Sequence, residues 1–153
     1  MKILVAYYSR HGHTRKVGKR IADLLGAESE EIIDKKDRKH LATWFYSAFD
    51  EELRSPTKIE QIKNDPKDFD LVVIGTPIWD GVTPAVKRFL SEHDFGKVAF
   101  FITFGASAEN AAFIMGKMIK QKPSAVLELQ DREIDMGAEK KIRYFCDMIK
   151  GIL

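Results

Sequence analysis

The sequence predicts an α/β domain built on a doubly wound, five-stranded parallel sheet with helices on both faces. Three observations lead there. Near-continuous apolar runs recur along the chain, segments with a helical apolar period stand between them, and 153 residues at 44% hydrophobic suffice for one core covered from two sides. Crossovers between parallel strands are right-handed, which leaves doubly wound sheets as the main arrangement for such an alternation.

Lys2 to Tyr8 (KILVAYY) reads as the first strand, buried on both faces. Val17, Ile21, Leu24 and Leu25 then fall on one stripe, with Gly26 placed as a C-terminal cap, and predict the first helix. Glu30 to Asp34 is a weaker second strand. Asp70 to Gly75 supplies the third, and Thr83-Pro84 opens a helix whose stripe is Val86, Phe89 and Leu90. Val98 to Phe104 is the fourth strand. Ala111, Ile114, Met115, Met118 and Ile119 line the next helix, Val126 to Ile134 is the last strand, and Ile142, Phe145, Cys146, Ile149 and Leu153 line the final helix. One segment interrupts the rhythm: Arg38 to Lys67 is longer than a simple connection. Its Leu41, Phe45, Ala48, Phe49 and Leu53 share a helical face, so it reads as a helix plus a loop. Without repeats, low-complexity tracts or Gly/Ser linkers, residues 1–153 read as a single domain.

The 25 basic and 23 acidic residues are interspersed and leave a formal net charge of +2, which argues against a dedicated nucleic-acid binder. No stretch has the length of a membrane span, and Met1 to Tyr8 is followed by polar sequence without a small-residue cleavage site. A cytoplasmic protein without membrane attachment is expected. Cys146, alone of its kind, cannot form an internal disulfide and falls on the apolar face of the last helix, where a buried, inert thiol is expected.

The most informative residues follow the first strand: Ser9, Arg10, His11, Gly12, His13 and Thr14 lead directly into a helix. A strand, a tight turn and a helix start present unpaired N–H groups and a favourable dipole to an anion, with Ser and Thr hydroxyls as further donors. The lysine and extra glycines of the nucleoside-triphosphate and dinucleotide loops are missing, so a single terminal phosphate is the better ligand. An ordinary helix cap, with Ser9 or Thr14 satisfying the helix donors, is the alternative reading.

Ligands of doubly wound sheets sit beyond the carboxyl ends of the strands, where winding reverses, so two further loops converge on this one. Thr76, Pro77, Ile78, Trp79, Asp80 and Gly81 follow the third strand. Trp79 beside glycine and proline suits a flat stacking surface, or else covers a sheet edge. Thr103, Phe104, Gly105, Ala106, Ser107 and Ala108 follow the fourth strand, and their small residues leave room and backbone donors. YYSRHGHT, GTPIWDG and TFGAS, in this order and spacing, resemble the three FMN-binding loops of the flavodoxin family, over essentially the whole chain.

That resemblance implies a flavodoxin-like sheet of order 2-1-3-4-5 and one FMN bound without covalent attachment. The first loop is similar to the family's S/T-x-x-G-x-T phosphate loop, which gives Ser9, His11, Gly12, His13 and Thr14 to the phosphate, with Arg10 and Arg15 adding charge nearby. The second gives Trp79 a flavin face and places the Asp80-Gly81 peptide near flavin N5. The third matches in part, because Ala108, Glu109 and Asn110 stand where flavodoxins often carry a tyrosine. The implied activity is electron transfer with redox partner proteins. The open third loop and the absence of strong acidity also resemble NAD(P)H-dependent quinone or FMN reductases, for which small quinones and NAD(P)H would be the partners. A degenerate domain without cofactor is a third reading, and both a monomer and a homodimer fit the aromatic-rich insertion.

Other signals are weaker. His11 and His13 lack the further ligands a metal needs, and His40 and His93 stand alone. Trp44, Phe45, Tyr46 and Phe49 at helical spacing suit core, or set Trp44 or Tyr46 over the flavin. Lys16, Lys19 and Arg20 form a basic face on the first helix, either solvated or facing an acidic partner. Acidic residues expected of a phosphotransfer receiver after the first and third strands are replaced by Tyr8-Ser9-Arg10 and Thr76-Pro77.

Overall fold

The computed structural model describes residues 1–36 and 57–153. The predicted helical face of Leu41, Phe45, Ala48, Phe49 and Leu53, together with His40, Trp44 and Tyr46, lies outside the described residues. Five strands, β1 (Ile3–Tyr7), β2 (Glu28–Glu31), β3 (Leu71–Ile78), β4 (Lys97–Phe104) and β5 (Val126–Gln130), form one parallel sheet in the order β2-β1-β3-β4-β5. Between and after them run α1 (His13–Leu25), α2 (Pro84–Glu92), α3 (Ala111–Ile119), a short α4 (Asp131–Asp135) and α5 (Glu139–Ile152).

The uninterrupted apolar runs have the physical cause expected of them: both faces of the sheet are covered. Ile3, Val5 and Tyr7 of β1 pack with α1 and α5, while Leu4 and Ala6 face the layer that contains α2 and α3. Leu71 and Val73 of β3 alternate with Val72 and Ile74 in the same way. Each fully buried aliphatic or phenylalanine side chain contributes about 1.5–3 kcal/mol, so these two layers carry the fold.

Three strands differ from the sequence reading by more than one residue at an end. The second strand occupies Glu28–Glu31 rather than Glu30 to Asp34, and its ladder closes where the Ile32 N–H donates to the Tyr7 carbonyl at 2.7 Å. Its polar composition hides it from periodicity. Glu30 is nevertheless buried, because its carboxylate accepts from the Lys63 N–H, the Asn64 N–H and Asn64 Nδ2. The last strand stops at Gln130 instead of continuing to Ile134, since Gln130 and Glu133 form a reciprocal capping box and start α4. Ile134 is buried from the helix rather than from a strand.

The third strand runs on through Thr76, Pro77 and Ile78, which pair with Ile102, Thr103 and Phe104. Pro77 is tolerated because β1 has already ended. The Gly75 carbonyl accepts from the Tyr8 N–H, so Pro77, two residues on, turns its missing N–H toward the same vacated side.

Two glycines permit close packing. A Cβ on Gly18 would lie 2.4 Å from the Tyr7 ring, and one on Gly75 would lie 2.0 Å from the Phe101 ring. Among the described residues no helix is long and apolar enough to cross a membrane. Cys146 lies inside the α5 layer, and burial pushes its thiol up to about 11.

Gly75→Ala is expected to destabilise the fold by about 1–3 kcal/mol or more in urea unfolding, with partial recovery in the Gly75→Ala, Phe101→Leu double variant. A thiol held neutral in the folded state keeps its full stabilising effect below its ordinary value of 9.0 and loses it as pH rises through about 11. Cys146 is therefore expected to react with a disulfide reagent at pH 8 only after denaturant is added; rapid labelling of the native protein would contradict its placement.

Candidate functional site

The carboxyl ends of β1, β3 and β4 lie side by side, and three loops leave them on the same edge of the sheet. After β1 the chain turns at Gly12, whose φ of 103° lies in the left-handed region that glycine adopts without strain. The Ser9 hydroxyl accepts from the Gly12 N–H at 3.2 Å and the Arg15 N–H at 3.1 Å. Ser9 is thus a helix cap. Among the described residues the main-chain N–H groups of His11, His13 and Thr14 have no acceptor. The cap serves two donors and leaves three at the positive end of α1.

The side chains divide differently from the sequence reading. Arg10 and His11 turn toward Trp79 rather than toward the Gly12 bend, with the guanidinium carbon 4.0 Å from the indole centroid and the imidazole stacked at 5.0 Å and 8°. His13 turns the other way, its Nε2 lying 2.9 Å from Asp135 Oδ1 and its Nδ1 4.0 Å from Asp131 Oδ1. Arg15 is committed to Glu31 through Nε at 3.1 and 3.2 Å and through its terminal nitrogen at 2.6 Å. That carboxylate holds the guanidinium above its ordinary value. What remains at the bend is main-chain donors rather than free cations.

Thr14 ties the first loop to the third. Its hydroxyl lies 2.8 Å from that of Thr103, and both residues are almost wholly buried. The second loop is shaped by another threonine pair. Thr76 donates its hydroxyl proton to the Pro77 carbonyl at 2.9 Å, so the Thr83 hydroxyl, 3.1 Å away, is the donor to Thr76 Oγ1. Ile78 and Val82 then form an antiparallel bridge around Trp79, Asp80 and Gly81, with Gly81 at φ 84°. Trp79 is 45% exposed at the tip. Glu109 joins the second and third loops, its Oε2 accepting from the Gly81 N–H at 3.1 Å.

Two adjoining clefts open here. One of about 250 Å³ is lined by Tyr8, Arg10, Trp79, Gly81 and Thr83. Another of about 320 Å³ is lined by Ser9, Arg15 and Ile32 and shares Tyr8, Arg10 and Asp34 with the first. Gly105 and Ala106 are exposed and line neither cleft; the Gly105 carbonyl accepts instead from Gln130 Nε2 at 2.9 Å. Phe104 is half-buried against the α2 and α3 layer.

A family model described as flavodoxin matches residues 2–141. The chain belongs to the flavodoxin family. As a flavodoxin it is an FMN-binding electron-transfer protein. Solved structures share the fold at low identity. A flavoprotein of Lactobacillus acidophilus NCFM, solved in complex with FMN, is 22% identical with a TM-score of 0.63, over 90% of this chain and 99% of that one. A flavodoxin from the domain Archaea is 16% identical with a TM-score of 0.63, over 99% of both chains. The two-electron reduced flavodoxin of Megasphaera elsdenii is 12% identical with a TM-score of 0.58, over 95% and 98%. No curated protein matches the chain.

Sequence reasoning missed the residues that hold this flavodoxin's loops to one another. Glu109, Asp131 and Asp135 act across long separations and carry no local pattern. Thr83 was visible as a helix start, though its bond to Thr76 was not.

Thr103→Val is expected to leave the Thr14 hydroxyl buried and unpaired, lowering stability by about 1–3 kcal/mol in urea unfolding. Replacing both threonines with valine is expected to cost less than the sum of the two single changes. An additive result would show that the pair is not coupled.

Proposed function

We propose that this flavodoxin holds FMN with its phosphate at the Gly12 bend and its ring system against Trp79, and that it works as an electron carrier. The observation that carries the reading is the meeting of a donor-rich helix start with an exposed indole, through the contact of His11 with Trp79 and of Thr14 with Thr103. The free N–H groups of His11, His13 and Thr14 suit the oxygens of a phosphomonoester. FMN, when bound, supplies the redox chemistry.

The protein's part is positioning and electrostatics. Ser9 fixes the bend by capping Gly12 and Arg15, and Glu31 and Asp135 restrain the Arg15 and His13 side chains, which steadies the first turn of α1 that carries the His13 and Thr14 donors. Trp79 offers a flat apolar surface. Arg10 and His11, which engage that indole from the first loop, are the side chains that shift or share it when a planar ring stacks there. At the second loop, Gly81 permits the Asp80-Gly81 peptide to reorient with little strain, and Glu109 restrains it through the Gly81 N–H. Thr103, Phe104, Gly105 and Ala106 border the far side of the site.

A flavin carrier asks no nucleophile or base of the protein, so positioning and electrostatics are all the side chains need supply. The partners are then redox proteins, whereas turnover of NAD(P)H with a quinone would mark a reductase. Fluorescence titration is expected to show FMN binding at least about a hundred-fold tighter than riboflavin, since two to three charge-assisted hydrogen bonds are lost with the phosphate. Trp79→Ala is expected to weaken FMN about ten-fold. Equal affinity for FMN and riboflavin would remove the phosphate assignment, and NADH or NADPH oxidation with a quinone would replace the carrier with an enzyme.

A further inference from the structure

We propose that the outer face of α3 is the docking surface for a redox partner, and that this partner presents a carboxylate-rich rim around an apolar centre. The inference rests on the carrier reading and names the partner's chemistry. Phe113, Ile114 and Met118 are 67%, 38% and 39% exposed and lie together on the solvent side of α3, while Ala111 and Met115 of the same helix are buried. Isolated apolar residues on a surface need no explanation. Three on one helix face, with a phenylalanine two-thirds exposed, form the kind of patch that marks an interaction site.

Charge singles out the occupant. From Asn110 to Leu127 the chain carries three lysines and no carboxylate. Lys117 lies over the Phe113 ring at 5.3 Å, and Lys117, Lys120 and Lys122 have no ion-pair partner among the described residues. Elsewhere on the described surface some cations are satisfied internally, while others, such as Lys19, Lys87 and Lys140, stand apart from one another on different elements. On α1, Arg20 pairs with Glu139 and Lys16 donates to the Ile134 carbonyl. The apolar groove between β5 and α5 is wider, about 600 Å³, yet its Lys141 is tied to Glu133 and its Arg143 to Glu139, which leaves Lys140 as its one cation without an ion pair among the described residues. Among the described residues the α3 patch sets three unpaired lysines beside exposed apolar area, where that groove has one, Lys140. A surface of this kind steers an acidic partner and then buries its apolar centre.

Position makes the patch useful. α3 begins directly after the loop whose Glu109 accepts from Gly81, and Phe113 lies in its first turn, at the sheet edge where the three loops meet. A protein seated on Phe113 stands beside the redox site. The opposite end of α3, with Lys120 and Lys122, widens the footprint away from it.

The test uses one redox centre with two surface charges: cytochrome c, which is basic, and succinylated cytochrome c, whose lysines have become carboxylates. FMN-loaded protein is photoreduced with a sacrificial amine donor, then mixed with each cytochrome in a stopped-flow instrument. Each electron that leaves the reduced flavin converts one ferric haem to ferrous. Complete reoxidation releases two electrons to two haems and the flavin's proton to solvent. At low salt the succinylated form is expected to be reduced at least about ten-fold faster, and the advantage is expected to disappear in high salt.

Replacing Lys117, Lys120 and Lys122 with Glu takes the formal charge from +2 to −4, three changes of two units each, and is expected to abolish the preference. The same charge change at exposed Lys19, Lys140 and Lys150 is expected to leave most of it. Phe113→Ala is expected to lower the rate at limiting cytochrome concentration several-fold while the FMN absorption spectrum stays unchanged. Equal losses in the two triple variants would make the effect one of net charge and overturn the docking surface. A preference for native cytochrome c would overturn the acidic partner. Protein that takes up no FMN would overturn the carrier reading first, and the docking proposal with it; that outcome is recognised by the missing flavin spectrum before any cytochrome is added.

Discussion

Parallel pairing is the constraint from which the rest of this molecule follows. Because β1, β3 and β4 run in one direction and lie side by side, the segments that leave them emerge at a common edge. No single loop contains a binding site. The register places Tyr7 opposite Gly75 and Pro77 opposite Thr103, so residues 68 and 26 positions apart in the chain become neighbours there. Both faces of the sheet must be buried for such a register to persist, which is why Phe101 can press onto Gly75 and Tyr7 onto Gly18.

Within that edge the loops are joined by a few polar contacts of different kinds. The Thr14 and Thr103 hydroxyls meet in a buried setting where an unpaired partner would be costly. Glu109 reaches Gly81 at an exposed position, so its bond has less stabilising weight and more freedom to change. Side chains that look suited to holding an anion, Arg15 and His13, are instead paired with Glu31 and Asp135. Among the described residues the polar groups left without a partner at the bend are oriented peptide N–H groups, with Ser9 as the brace.

Much of the fold was legible in the sequence, because burial on both faces writes itself as unbroken apolar strands and 3.6-period helices. KILVAYY and VAFFITF needed no further context. β2 was displaced by two to three residues because an edge strand reading ESEE owes its place to the ladder with β1 and to the clamp around Glu30, neither of which has a local signature. The helix after β5 was hidden because Gln130 and Glu133 act as a cap only once the strand has ended. In the site, backbone roles were readable from Gly12 and the strand-turn-helix order. Side-chain destinations were not: Arg10 and His11 find Trp79 across 69 and 68 residues, a relation that only the closed sheet creates.

The overhang of β3 beyond β1 has a consequence for how the sheet ends. Thr76, Pro77 and Ile78 go on pairing with β4 after β1 has stopped, and all three are buried. A main-chain N–H turned to the β1 side at Pro77 would be shut away from water with no ladder partner, at a cost of about 1–3 kcal/mol. Proline has no such hydrogen to orphan, so the strand outruns its neighbour without that penalty. A residue that looks like a simple loop marker therefore lets the sheet finish unevenly while its interior stays dry.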